Sequence, residues 1–210
     1  EDIGLPVVYV YDSYHNPPKE WAELLTPQGS LTIRNTPCDA VVLCLWVERQ
    51  HESYLSLGGF DGAYTYFASD GMVYGSTSRN WPEMAAAAAR HGAIFVPSVG
   101  PGYNDVRVRP WNAHSTRSRE GGNYFNRMFR KAISVEPAII SLTSWNEWHE
   151  GTNIEPAVPK PGKEKYEDYG DGGPRTYLNL ASELVAEWQG KRTPPAKEKS
   201  MLRGKAQANP

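Results

Sequence analysis

The chain has no apolar run approaching the roughly 18 residues a membrane-spanning helix needs, so none is expected within it. Its first residues, Glu-Asp-Ile-Gly, include no initiating Met and no signal-peptide pattern. It therefore reads as an excised piece whose targeting signal would lie upstream. Cysteine is scarce, with only Cys38 and Cys44. If that stretch is extended, the two stand roughly 20 Å apart, too far for a disulfide. Two free thiols are expected, with Cys44 buried, and cysteine use leaves the compartment open. No Asn-x-Ser/Thr acceptor with a permitted middle residue occurs. Neither sign of charge dominates: 22 Lys+Arg against 24 Asp+Glu give a formal −2. That excludes a nucleic-acid binder working through bulk basicity and an acidic solvating tail. Fixed-period repeats, a Gly-x-Gly-x-x-Gly turn after an early strand and a Walker loop are all missing.

Aromatics are plentiful. The 7 Trp, 12 Tyr and 5 Phe make up 11% of 210 residues, and such rings with polar tips suit an amphipathic ligand such as a sugar. With 19 Gly and 17 Pro, the chain reads as one loop-rich globular domain over residues 1–190, followed by a polar tail over 191–210.

Apolar runs alternate with helical patterns. Val7–Tyr11, Ala40–Val47, Asp61–Phe67, Ala93–Val99 and Ala138–Trp145 read as strands, the first two as buried ones. Lys19–Leu25, Gln50–Leu57, the alanine-rich Trp81–His91, Tyr124–Ser134 and Tyr177–Gln189 read as helices. Such alternation predicts an α/β fold with a parallel sheet. Polar and aromatic clusters follow several strands: Asp12–His15, Tyr66–Tyr74, Gly100–Asp105 and Asn146–Glu150. Function spread over many strand ends is the habit of a (β/α)8 TIM barrel, which is the expected architecture. About five of eight βα units are visible, so the barrel is expected to be incomplete in this chain.

The densest cluster is Ser144-Trp145-Asn146-Glu147-Trp148-His149-Glu150-Gly151-Thr152. One helical turn would place Glu147 and Glu150 on one face with Cβ atoms about 5–6 Å apart. Two carboxylates at that range can hold different protonation states, as glycosidic cleavage requires of its acid and its base or nucleophile. Trp145 and Trp148 offer a ring platform, and Asn146 can bond a sugar hydroxyl. Competing readings are a pair of helix-capping carboxylates and a metal site from Glu147, His149 and Glu150. The metal reading lacks a second histidine at ligand spacing.

The segment Trp145–Glu155 resembles the catalytic segment of the endo-α-1,2-mannosidases of glycoside hydrolase family 99. Similar to that family as well are Tyr9–Tyr14, Gly59–Ala68, Pro97–Tyr103, Arg109–Asn112 and Glu155–Lys160. The resemblance covers roughly residues 4 to 190 and is strongest to the animal Golgi members and their paralogues. It implies a (β/α)8 barrel, no metal, no cofactor and no nucleic-acid partner. It further implies cleavage, with retention, of an internal mannosidic bond in glucosylated high-mannose N-glycans, through a 1,2-anhydro-sugar intermediate. Glu147 would then be the base acting on the sugar 2-hydroxyl, and Glu150 the general acid and later the base for water. Substrate contacts would fall to Tyr66, Arg109 and Asn146, with Tyr9, Tyr11 and His15 on the first strand and its loop. The family places the activity in the Golgi lumen, on a type II membrane protein whose anchor would precede this chain. The alternatives are a truncated or inactive homologue acting as a glycan-binding or interaction protein, and an ordinary retaining glycosidase with Glu147 as nucleophile. Among other residues, Tyr103 is expected to stack on a sugar and Asp12 to be a structural hydrogen-bonder. The arginines at 107, 109, 117 and 119 are expected on a solvated loop face, Arg109 apart.

Overall fold

In a computed structural model, residues 4–158 and 166–191 are described. The expected tail over 191–210 and the end of the Glu155–Lys160 motif lie outside the described residues, apart from the backbone of Lys191.

Four parallel strands, β1 (Val7–Val10), β2 (Val41–Leu45), β3 (Gly62–Tyr64) and β4 (Ile94–Val96), pair in chain order. A parallel pair of β5 (Ser98–Val99) and β6 (Ser141–Leu142) follows. Between strands run α1 (Pro18–Leu25), a 3₁₀ turn at Arg49–Glu52 leading into α2 (Ser53–Ser56), α3 (Trp81–Arg90) and α4 (Asn123–Ser134). α5 (Thr176–Lys191) closes the described chain. These strands are part of a (β/α)8 barrel.

Strand alternation divides the apolar residues between two cores. Val42, Cys44 and Trp46 point outward and pack with Trp81, Met84 and Ala88 of α3 and with Phe125, Met128 and Phe129 of α4. Leu43, Leu45, Tyr64 and Val96 point inward and fill the barrel with Tyr66 and Phe67. Each fully buried side chain of this size contributes about 1.5–3 kcal/mol. α3 buries Trp81, Met84, Ala87 and Ala88, one stripe at helical spacing, and starts with proline in its first turn, where the missing N–H costs nothing. Gly62 must be glycine because a Cβ there would lie 2.5 Å from the Ile94 carbonyl oxygen on the neighbouring strand.

Four local expectations are corrected. Val7, Val8 and Tyr9 are exposed, because β1 is an edge strand among the described residues. The apolar run Ala93–Val99 divides at Pro97 into β4 and β5, which belong to different sheets. Side chains lace the two sheets together: Thr65 Oγ1 accepts from Ser98 N at 2.9 Å, and Ser98 Oγ lies 2.6 Å from both Tyr66 N and Ser141 Oγ. The last strand keeps only Ser141–Leu142 of Ala138–Trp145, because from Ser144 onward the main chain bonds its own loop. Gln50–Leu57 is two short pieces, since the His51 ring accepts from Val47 N and Glu48 N and bends the entry. Cys38 and Cys44 are free, the first exposed and the second buried.

Candidate active site

The loop after β6 is a closed ring of main chain. Ser144 N donates to Thr152 O at 3.0 Å, Ile154 N returns to Ser144 O at 3.1 Å, and the Ser144 and Thr152 hydroxyls meet at 2.8 Å. Ser144 Oγ also accepts from Glu147 N at 2.9 Å. Inside that neck the chain makes a 3₁₀ turn at Trp148–Glu150, ended by Gly151 at φ 61°, a left-handed conformation that glycine adopts without strain. Glu147 precedes the turn and Glu150 completes it, so the two carboxylates share one short, pinned segment. A second loop, following β5, supports it: Asn104 N donates to Glu150 O at 2.8 Å.

The two carboxylates differ in surroundings. Glu147 is exposed, whereas only 18% of the Glu150 side chain is accessible. Arg109 Nη1 donates to Glu150 Oε1 at 3.0 Å and to Asp105 Oδ2 at 3.2 Å. Burial pushes the Glu150 carboxyl above the usual carboxylate range. Arg109 opposes that rise, and the charges of Glu147 and Asp105 add to it. Glu150 therefore holds its proton more firmly than an exposed glutamate, as a general acid must.

Tyr66 and Tyr11 face this pair. The Tyr66 hydroxyl is pushed up to about 12 by burial first, then by Glu150, Tyr11 and Glu147, with Arg109 opposing. Tyr11 is raised by burial and by the charges of Asp12 and Glu150. Their rings meet edge to face at 5.0 Å. Tyr66 adopts φ 57°, a costly conformation for a bulky residue. Ser98 Oγ holds its N–H, and the Thr143 hydroxyl donates to its carbonyl. Asn146 is exposed on the same loop as the carboxylates, and Trp145 and Trp148 are 52% and 59% exposed beside it.

The structure thus brings together Glu147, Glu150, Arg109, Tyr66 and Tyr11, with Asn146 adjoining. Tyr9 stands apart, lower on β1, with its ring 5.1 Å from that of Tyr64. His15 is not in that group either: it lines an open cleft of about 520 Å³ with Tyr14, Pro17, Pro18 and His51, which no member of the group lines. The expected stacking by Tyr103 is corrected. Its ring is buried, and its hydroxyl donates to Asp105 Oδ2 at 2.9 Å. Arg119 is corrected too. It is buried, donates through Nη2 to Gly151 O and Asn153 O at 2.8 Å, and lies 4.5 Å over the Tyr177 ring and 5.0 Å over the Tyr169 ring. Asp12 makes the structural bond expected of it, accepting from the Tyr14 hydroxyl at 2.7 Å.

Sequence reasoning missed Asp105 and Asn112. Asp105 is wholly buried, and Asn112 Nδ2 donates to its Oδ2 at 2.9 Å. Their spacing to Arg109 was visible, but no periodic pattern distinguishes a buried loop carboxylate from a solvated one.

Comparison with known proteins agrees with this geometry. The sequence profile of Glycosyl hydrolase family 99 matches residues 2–190. A glycoprotein endo-alpha-1,2-mannosidase-like protein of Danio rerio is 51% identical over 185 residues, which are 88% of this chain and 41% of the relative. The glycoprotein endo-alpha-1,2-mannosidase of Xenopus laevis is 48% identical over 188 residues, 89% of this chain and 41% of that protein. The GH99 endo-alpha-mannosidase structure from Bacteroides thetaiotaomicron superposes with a TM-score of 0.87 at 41% identity, over 92% of this chain and 57% of that one. The chain spans about two fifths of the length of the curated relatives it matches. A parallel barrel segment, two unlike carboxylates on one pinned turn and a profile match over nearly all of the sequence lead to one assignment: the chain belongs to glycosyl hydrolase family 99.

Proposed function

We propose that this chain carries the catalytic carboxylates of a retaining endo-α-1,2-mannosidase acting on glucosylated high-mannose N-glycans. The observation that carries this reading is the asymmetry of the pair: Glu150 is mostly withdrawn from solvent, bonded to Arg109 and raised in proton affinity by burial, while Glu147 is exposed three residues earlier. Glu150 donates its proton to the leaving glycosidic oxygen. Glu147 takes the proton of the sugar 2-hydroxyl, whose oxygen attacks C1 to close a 1,2-anhydro ring. Glu150, now ionised, then deprotonates water, which opens that ring at C1, and Glu147 returns its proton to O2. Two inversions give net retention, and the protons balance over the cycle.

Tyr66, Arg109, Asn146 and Tyr11 contact the sugar at the reacting bond, and Trp145 and Trp148 supply apolar faces for neighbouring rings. The enzyme works in the Golgi lumen. The relatives' names and the profile match support the substrate class, and the carboxylate asymmetry supports the roles.

The test uses a glycan ending in glucosyl-α-1,3-mannose, supplied to this chain and to a form extended at its N-terminus to the length of the relatives. Release of a glucosyl-mannose unit with retained anomeric configuration is expected from the extended form. Glu147→Gln and Glu150→Gln should each abolish it. A 2-deoxy-2-fluoro substrate, lacking the attacking hydroxyl, should be neither cleaved nor trapped. A covalent glycosyl ester on Glu147 would overturn the anhydro route, and full activity in either variant would overturn the assignment of roles.

A further inference from the structure

Arg109 is a long side chain, 47% exposed, which ordinarily samples many rotamers. It is nevertheless held on Glu150. What holds it is a buried anchor behind it. Val108 N and Arg109 N both donate to Asp105 O, at 2.9 and 2.7 Å, which turns the chain so that Arg109 returns over Asp105. The Asp105 side chain is 0% exposed, and its Oδ2 collects the Tyr103 hydroxyl, Asn112 Nδ2 and Arg109 Nη1. The loop itself is fixed by the antiparallel bridge in which Tyr103 and Arg117 exchange both main-chain bonds. Asp105 Oδ1 is buried without a hydrogen-bond partner among the described residues.

We propose that Asp105 is a positioning residue of this site: it anchors Arg109 and divides the guanidinium between two carboxylates, fixing where Arg109 points and how much of its charge Glu150 receives. Arg109 Nη1 serves both acids at once, at 3.2 and 3.0 Å. An arginine left wholly to Glu150 would hold that residue ionised and unable to give a proton. Shared with Asp105, the same arginine orients Glu150 and leaves it protonatable. The charged groups around Glu150 are Arg109, Glu147 and Asp105, and the phenols of Tyr11, Tyr66 and Tyr103 face it. Asp105 is the one whose removal changes the charge on Arg109's far side without touching the sugar. This inference rests on Glu150 being the general acid.

The test is the pH dependence of kcat/KM in Asp105→Asn, which keeps the shape and loses the charge, in the N-terminally extended protein. Removing a negative neighbour lowers the proton affinity of Glu150. The basic limb of the profile should therefore move to lower pH by about one unit. The loss at neutral pH should be about tenfold on the glycan and much smaller on a glycosyl fluoride, whose leaving group needs little proton assistance. A purely structural role would scale the rate equally on both substrates and leave the limb in place, and that result overturns the proposal. If Asp105→Asn does not fold, Tyr103→Phe removes one donor from Oδ2, throws more of the Asp105 charge onto Arg109 and should move the limb upward. A stationary limb there overturns the proposal as well. Glu150→Gln separates the two levels: it should abolish turnover of the glycan, where Asp105→Asn keeps about a tenth of it. If it keeps the wild-type profile, the general-acid assignment fails and the role of Asp105 falls with it.

Discussion

Arg34→Met is the perturbation whose cost can be worked most directly from the structure. Arg34 donates to the carbonyl oxygens of Leu25, Ala40 and Gly59 at 2.8, 2.7 and 2.8 Å, and to Asp39 Oδ1 and Asp61 Oδ2 at 3.1 and 2.8 Å. Its side chain is 10% exposed, and those of Asp39 and Asp61 are 15% and 9%. The guanidinium therefore ties α1 to the starts of β2 and β3. Methionine fills much of the volume but leaves Asp39 and Asp61 without that cation, and breaking a buried pair from one side costs about 3–5 kcal/mol. For a domain of this size each kcal/mol lowers the melting temperature by about 2–4 °C, so a fall of about 6–20 °C is expected. Circular dichroism melts at pH 7 measure it. The double variant Arg34→Met/Asp61→Asn should recover part of the loss, because the asparagine can still accept from Val42 N, as Asp61 does at 2.9 Å. Strict additivity of the two substitutions, or a single-variant loss below about 1 kcal/mol, would refute the charge-compensation account. Activity per folded molecule should be unchanged at low temperature, since these strand starts lie at the opposite end of the barrel from Glu150.

Two further outcomes follow from the site. Glu150 is raised in the folded state, so its ionisation opposes folding, and that cost is present above its unfolded pKa. Glu150→Gln should therefore melt higher than wild type at pH 7, with the difference closing toward pH 4. A lower melting temperature at pH 7, or a gap independent of pH, would contradict this. Arg119→Lys loses the planar fork and the stacking on Tyr169 and Tyr177. It should cost about 2–3 kcal/mol in chemical denaturation and loosen the loop beyond Gly151, while wild-type stability would sink the idea that Arg119 secures that loop.

Much of the fold was legible because its signals are local. The alanine run and its flanking Trp and Pro gave α3 to within a residue, and the unbroken apolar run over 40–47 marked β2 as covered on both faces. Errors fell where partners decide. Nothing in Val7–Tyr11 tells an edge strand from a central one, since exposure of Val7 and Val8 depends on what pairs beyond them. Ala93–Val99 is continuous in hydropathy, and only Pro97 hinted that it feeds two sheets. The carboxylate pair was legible from its spacing and its aromatic neighbours, but Tyr103 was not, because a tyrosine beside glycines looks the same whether its ring faces solvent or a buried aspartate.

By itself, then, the sequence determined that strands and helices alternate, that Glu147 and Glu150 follow the last strand three residues apart, and which family the motifs resemble. These depend on order and spacing along the chain, which a sequence contains. Tertiary structure alone decided which carboxylate is withdrawn from solvent and has its proton affinity raised, that Arg109 joins Glu150 to Asp105, and that Tyr11 and Tyr66 meet over the site while His15 does not. Those properties arise from desolvation and from charges brought close across 41 to 55 positions of chain, and they exist only once the strands have been placed side by side.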